Sequence, residues 1–75
     1  MKFVKTYEDN NCKEFDIIIN NEKVAYYIEH YNNPLTEEKL DNTVFEIYYN
    51  YDDFEFTASA ICDTLEEALE YADLI

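Results

Sequence analysis

The sequence predicts an α+β fold: an antiparallel β-meander of about five strands with one C-terminal helix packed on one face. Three observations predict it. Apolar residues recur with period two in five separate runs. Asn-rich breaks divide most of those runs. The one clear helical periodicity comes after the last run, so strands do not alternate with helices as they do in α/β chains.

The first run is Lys2 to Tyr7, with Phe3 and Val4. The second, Lys13 to Ile19, sets Phe15, Ile17 and Ile19 against Glu14, Asp16 and Ile18. Asn20-Asn21 follows and suits a two-residue type I′ hairpin, because Asn tolerates positive φ. The third run, Lys23 to Tyr31, sets Val24, Tyr26, Ile28 and His30 against Ala25, Tyr27, Glu29 and Tyr31. A long connection, Asn32 to Asn42, holds Pro34 and reads as a loop with at most one or two helical turns. The fourth run, Thr43 to Tyr49, sets Phe45, Ile47 and Tyr49 against Val44, Glu46 and Tyr48. Asn50, Asp52 and Asp53 mark a break before the fifth run, Phe54 to Ile61. The chain has no Gly at all, so Asn carries the punctuation. Short connections make neighbouring strands antiparallel.

Thr64-Leu65-Glu66-Glu67 is a capping box, with Thr64 as N-cap and Glu67 reaching back. Leu65, Ala68, Leu69, Ala72 and Ile75 then trace one apolar stripe at helical spacing, which covers one sheet face. Glu66, Glu67, Glu70 and Asp73 fall on the other side.

Seventy-five residues make one domain, spanning 1–75, because a second could not bury a core of its own. So small a body has little room for a deep catalytic cavity, which places function on the surface. Eighteen Asp and Glu against five basic residues give a formal net charge of −13. Nucleic acid and anionic lipid are repelled by that balance, and a basic protein partner is attracted. The alternative is an acidic excess that serves solubility alone. Eight Tyr and five Phe supply large burial area, unlike disordered acidic tails. Met1 to Asn10 carries no signal-type apolar segment and no run reaches membrane-span length. The expectation is therefore a cytoplasmic monomer or dimer, off the membrane, with Cys12 and Cys62 reduced; a bridge between them stays open.

Alternation assigns the functional surface. With the helix over Phe15, Ile17, Tyr26, Ile28, Phe45, Ile47, Phe56 and Ala58, the opposite face carries Glu14, Asp16, Glu29, Glu46 and Glu55. Tyr27, Tyr31 and Tyr48 interleave with these acids. Carboxylates two apart on a strand stand roughly 6.6 Å apart. That spacing approaches that of neighbouring phosphates, and Tyr adds rigid amphipathic contact area. The helical acids Glu66, Glu70 and Asp73 form a second candidate set. The plain structural reading of the same face is a solvated sheet surface with good β-propensity.

Catalysis has few candidates. His30 is the only His, so a thiol nucleophile needs it beside Cys12 or Cys62. Two Cys fifty residues apart do not make a zinc site, and Asp52-Asp53-Phe54-Glu55 lacks the calcium-loop spacing and its Gly. No cofactor, metal or catalytic set is expected.

In size, acidity and an aromatic-flanked carboxylate surface (Glu14, Asp16, Glu29, Glu46 and Glu55 with Tyr27, Tyr31 and Tyr48), the chain resembles the small acidic phage proteins that disarm bacterial defence nucleases, the DNA-mimic anti-restriction and anti-CRISPR type. The resemblance implies occupation of a Lys/Arg-lined nucleic-acid channel in a partner within the host cytoplasm, with no catalytic residues. The alternatives from other classes are an immunity or antitoxin-like module neutralising a basic toxin, and a small structural subunit.

Overall fold

The computed structural model describes all residues, Met1–Ile75. Five strands, β1 (Lys2–Glu8), β2 (Cys12–Ile19), β3 (Glu22–Asn32), β4 (Lys39–Asp52) and β5 (Glu55–Cys62), precede one helix, α1 (Leu65–Tyr71). The strands form one open antiparallel sheet in the order β1-β2-β3-β4-β5. The expected α+β meander is the observed architecture.

With no Gly available, other residues take the left-handed conformations. Asn20 (φ 53°) and Asn21 (φ 65°) close the β2–β3 hairpin as predicted. The β4–β5 turn is made by Asp53 (φ 46°) and Phe54 (φ 70°). Phe54 is thus a turn residue and not the first residue of the last strand. β4 is also longer than its apolar run, starting at Lys39 and passing through Asn50 (φ 57°) to Asp52. The β3–β4 connection is a turn in which the Asn33 side chain accepts from the Leu35 and Thr36 amides, at 2.9 and 3.2 Å.

Ile17, Ala25, Tyr27, Ile47, Cys62, Ala68 and Leu69 make the buried core. Each fully buried Ile contributes roughly 1.5–3 kcal/mol of transfer free energy. The helix begins where the capping signal places it: Thr64 Oγ1 accepts from the Glu67 amide at 3.1 Å. It packs on β4 and β5 through Ala68 and Leu69. It stops at Tyr71, and Asp73 turns left-handed at φ 59°. Past that stop the apolar stripe is broken, so Leu74 packs on the core while Ile75 is exposed, the reverse of the helical expectation.

The face assignment of β3 needs correction. A two-residue hairpin at Asn20-Asn21 with uninterrupted pairing would set Ile17 opposite Val24. Pairing instead shifts between Ile18↔Lys23 and Ile17↔Ala25, so one extra residue is inserted in β3. One inserted residue moves every later side chain to the other face. Tyr27 consequently joins Phe15 and Ile47 on the core side, and Tyr26, Ile28 and His30 move to the opposite face.

Cys12 and Cys62 are both free. They lie on β2 and β5, three strand spacings or roughly 14 Å apart, beyond disulfide reach.

Candidate functional site

The face opposite the helix is covered by no other element, and its geometry follows from the registers. One row across the sheet reads Tyr7, Glu14, Ile28, Glu46, Ile61. The next reads Val4, Asp16, Tyr26, Tyr48, Ser59. Glu14 and Glu46 stand two strand spacings apart, roughly 10 Å, with Asp16 roughly 6.6 Å along β2 from Glu14. Three carboxylates therefore frame a pair of tyrosines.

Those tyrosines are ordered by each other. The Tyr26 and Tyr48 rings stack with centroids 4.6 Å apart and planes 12° apart, and Phe56 meets Tyr26 edge-on at 5.1 Å. Lys23 lies across this aromatic group. Its Nζ is 3.1 Å from Asp16 Oδ1, 4.9 Å from the Tyr26 centroid and 5.3 Å from that of Phe56. A cation is thus already seated between a carboxylate and two aromatic rings. Beside it, Thr6, Glu14, Asp16, Lys23 and Tyr26 line an open depression of about 370 Å³. Burial, reinforced by the neighbouring Glu46 carboxylate, pushes the Tyr48 phenol up to about 12. Tyr48 is neutral and a hydrogen-bond donor throughout the physiological range.

Several residues expected on this face stand elsewhere. Tyr27 is only 3% exposed, stacked on Phe15 at 5.0 Å within the core. Burial raises its phenol to about 12. Glu29 and Tyr31 lie on the helix side of the sheet, where the Tyr31 hydroxyl donates to Glu29 Oε2 at 2.7 Å and Lys13 approaches the Tyr31 ring at 5.8 Å. Both moved with the inserted residue in β3. Glu55 is exposed opposite Asp52 at the β4–β5 turn. Glu66 and Glu70 are exposed on α1, on the other side of the molecule, and Asp73 follows the helix end. Of the sheet residues named from sequence, Glu14, Asp16, Glu46 and Tyr48 are brought together. Tyr26, Lys23 and Phe56 lie outside the sequence-derived set. The inserted residue that exposes Tyr26 has no sequence marker in an apolar run such as Val24-Ala25-Tyr26-Tyr27. Phe56, expected under the helix, instead meets the Tyr26 ring, next to the left-handed Asn50 of β4 (φ 57°).

No family model, curated protein or solved structure matches this chain.

Nucleophilic chemistry finds little support in the same face. Cys12 pairs across the ladder with His30, yet the imidazole Nε2 bonds to Glu46 Oε1 at 3.0 Å. Burial and then the Asp9 carboxylate push the Cys12 thiol up, away from the thiolate a nucleophile needs. Burial does the same to Cys62, aided by Glu67. No group of three or more His, Cys, Asp or Glu is placed to hold a metal ion. No helix is long and apolar enough to cross a membrane.

Proposed function

We propose that this domain is a binding protein that uses the Glu14–Asp16–Glu46 face, with Tyr26 and Tyr48 at its centre, to occupy the basic groove of a nucleic-acid-handling protein and so block it. The observation that carries the reading is the seat of Lys23, whose ammonium rests on Asp16 and against two aromatic rings. A partner's Lys or Arg would be held by the same chemistry at Glu14, whose carboxylate has no partner in the chain, and at the Glu46 oxygen that His30 leaves free. Rigid stacked tyrosines supply contact area at low entropic cost, as interface aromatics do. The net charge of −13 speeds encounter with a basic surface and opposes contact with nucleic acid.

The test is capture from a bacterial lysate on the immobilised chain, followed by competition with duplex DNA. The captured protein should be released by DNA. Glu14→Lys with Glu46→Lys should slow its association by an order of magnitude or so at low salt. Glu66→Lys with Glu70→Lys, the same charge change on the opposite side, should act much less. Equal effects of the two pairs, or capture indifferent to DNA, would remove the basis of this reading.

A further inference from the structure

The two edges of the sheet are not alike. β1 pairs only with β2, and β5 only with β4. A free edge is a row of unpaired amides and carbonyls ready to pair with another strand, and proteins blunt such edges with Lys, Pro, bulges or cover. β1 carries two of these devices. Lys2 and Lys5 stand on it, and its register shifts between Lys5 and Tyr7.

β5 carries none of them. Its eight residues, Glu-Phe-Thr-Ala-Ser-Ala-Ile-Cys, include no Lys, no Pro and one charge, at its very start. Its pairing with β4 runs from Phe45↔Cys62 to Asp52↔Glu55 without a shift. None of the turn, loop and cap backbone hydrogen bonds of the chain uses a β5 amide or carbonyl. Ile61 is 69% exposed on it. The sheet thus ends in an eight-residue strand with no Lys or Pro and no register shift to blunt it, although its partner β4 turns left-handed at Asn50 (φ 57°) opposite Thr57.

The charges around the strand select its occupant. Asp52, Asp53 and Glu55 stand exposed at one end, and Asp63, Glu66 and Glu67 at the other. Two copies of this chain pairing edge to edge would bring those acids together, whereas a strand with Lys or Arg at both ends would meet them. We infer that the β5 edge, Glu55–Cys62, accepts an extended segment of a partner protein as a sixth strand, with small or apolar residues at its centre and basic residues at its ends. Main-chain pairing supplies affinity in this mode and the terminal charges supply orientation. The inference shares with the proposed function the sign of the partner's charge, and it concerns the main-chain edge of β5, whereas the proposed function uses the side-chain face that Phe56, Ser59 and Ile61 border.

The probe is a capped nonapeptide, Lys-Lys-Val-Thr-Val-Thr-Val-Lys-Lys, added to the full chain and followed by amide hydrogen exchange. Alternate amides within Glu55–Cys62 should exchange at least tenfold more slowly at saturation, with Lys2–Glu8 unchanged. A version N-methylated at alternate residues keeps every charge but cannot pair, and it should bind at least tenfold more weakly. Thr57→Lys and Ile61→Lys, both exposed positions, should abolish the protection while the urea midpoint stays near that of the parent chain. Glu14→Gln with Glu46→Gln should leave the protected amides the same, which separates this edge from the face of the proposed function. Equal binding by the N-methylated peptide, protection at β1, or no protection at all overturns the inference. Protection that appears without peptide and grows with protein concentration overturns it too, because the occupant is then a second copy.

Discussion

The rings of Tyr26 on β3 and Tyr48 on β4 are cross-strand partners that stack at 4.6 Å with 12° between their planes. This pairing holds the centre of the acidic face in one conformation, since neither ring can turn without losing the other. Stacked aromatic pairs are worth about 0.5–1.5 kcal/mol beyond their area burial. A double-mutant cycle with Tyr26→Leu and Tyr48→Leu, read by urea unfolding, should give a coupling energy in that range. Additive losses would show two rings that are merely neighbours.

That same pair marks where the sequence stops being readable. The five period-two runs, the Asn20-Asn21 turn and the Thr64 cap each carry a local chemical reason, and each is found where that reason puts it. The β3 faces are different. Val24, Ala25, Tyr26 and Tyr27 are apolar in both phases, so alternation cannot say which phase looks inward. The register shift between Ile17 and Ile18 decides it, because Ala25 lies opposite Ile17 and Tyr27 then fills the space beside Phe15. Glu14, Asp16 and Glu46 were placed correctly because β2 and β4 each alternate cleanly. Phe54 was misread for another reason: a Phe at positive φ has a steric cost, and no propensity rule puts it there.

Phe54 yields a stability prediction. Its φ of 70° is left-handed, and its side chain is 90% exposed, so the fold recovers little by packing it. Left-handed backbone costs an L-residue about 1–2 kcal/mol, and Gly escapes that cost while giving back part of it in chain entropy. Phe54→Gly should therefore stabilise the domain by about 0.5–1 kcal/mol, raising Tm by roughly 2–8 °C in a domain this small. Thermal melting by circular dichroism checks it. A lower Tm would mean that the ring holds the β4–β5 turn together.

The tyrosines also set an alkaline limit. Burial raises the Tyr27, Tyr31 and Tyr48 phenols to about 12, helped at Tyr31 by its hydrogen bond to Glu29 and at Tyr48 by the neighbouring Glu46 carboxylate. In the unfolded chain each ionises near the ordinary value of 10.0. Between those values the folded state holds protons that the unfolded state has lost, so stability is full below pH 10 and falls as pH rises toward 12. Urea midpoints measured from pH 8 to 12 should be flat and then drop. The tyrosinate absorbance of these three rings should develop together with unfolding. A single titration near pH 10 with the fold intact would contradict the burial described.

Lys23 restrains the surface it sits on. Its ammonium occupies Asp16 and the Tyr26 ring, so Lys23→Met frees a carboxylate and an aromatic face for an incoming cation. The exchange should cost little stability, at most about 1 kcal/mol, because exposed ion pairs and cation–π contacts are each worth a few tenths to one. Association with nonaarginine, followed by stopped-flow tyrosine fluorescence, should become faster and more sensitive to salt. Lys39→Met makes the same change in net charge at the start of β4, at an exposed position. If both variants gain equally, the whole-molecule charge governs encounter. If Lys23→Met gains more, the cation lands on the Asp16–Tyr26 seat, which is the local chemistry the acidic face depends on.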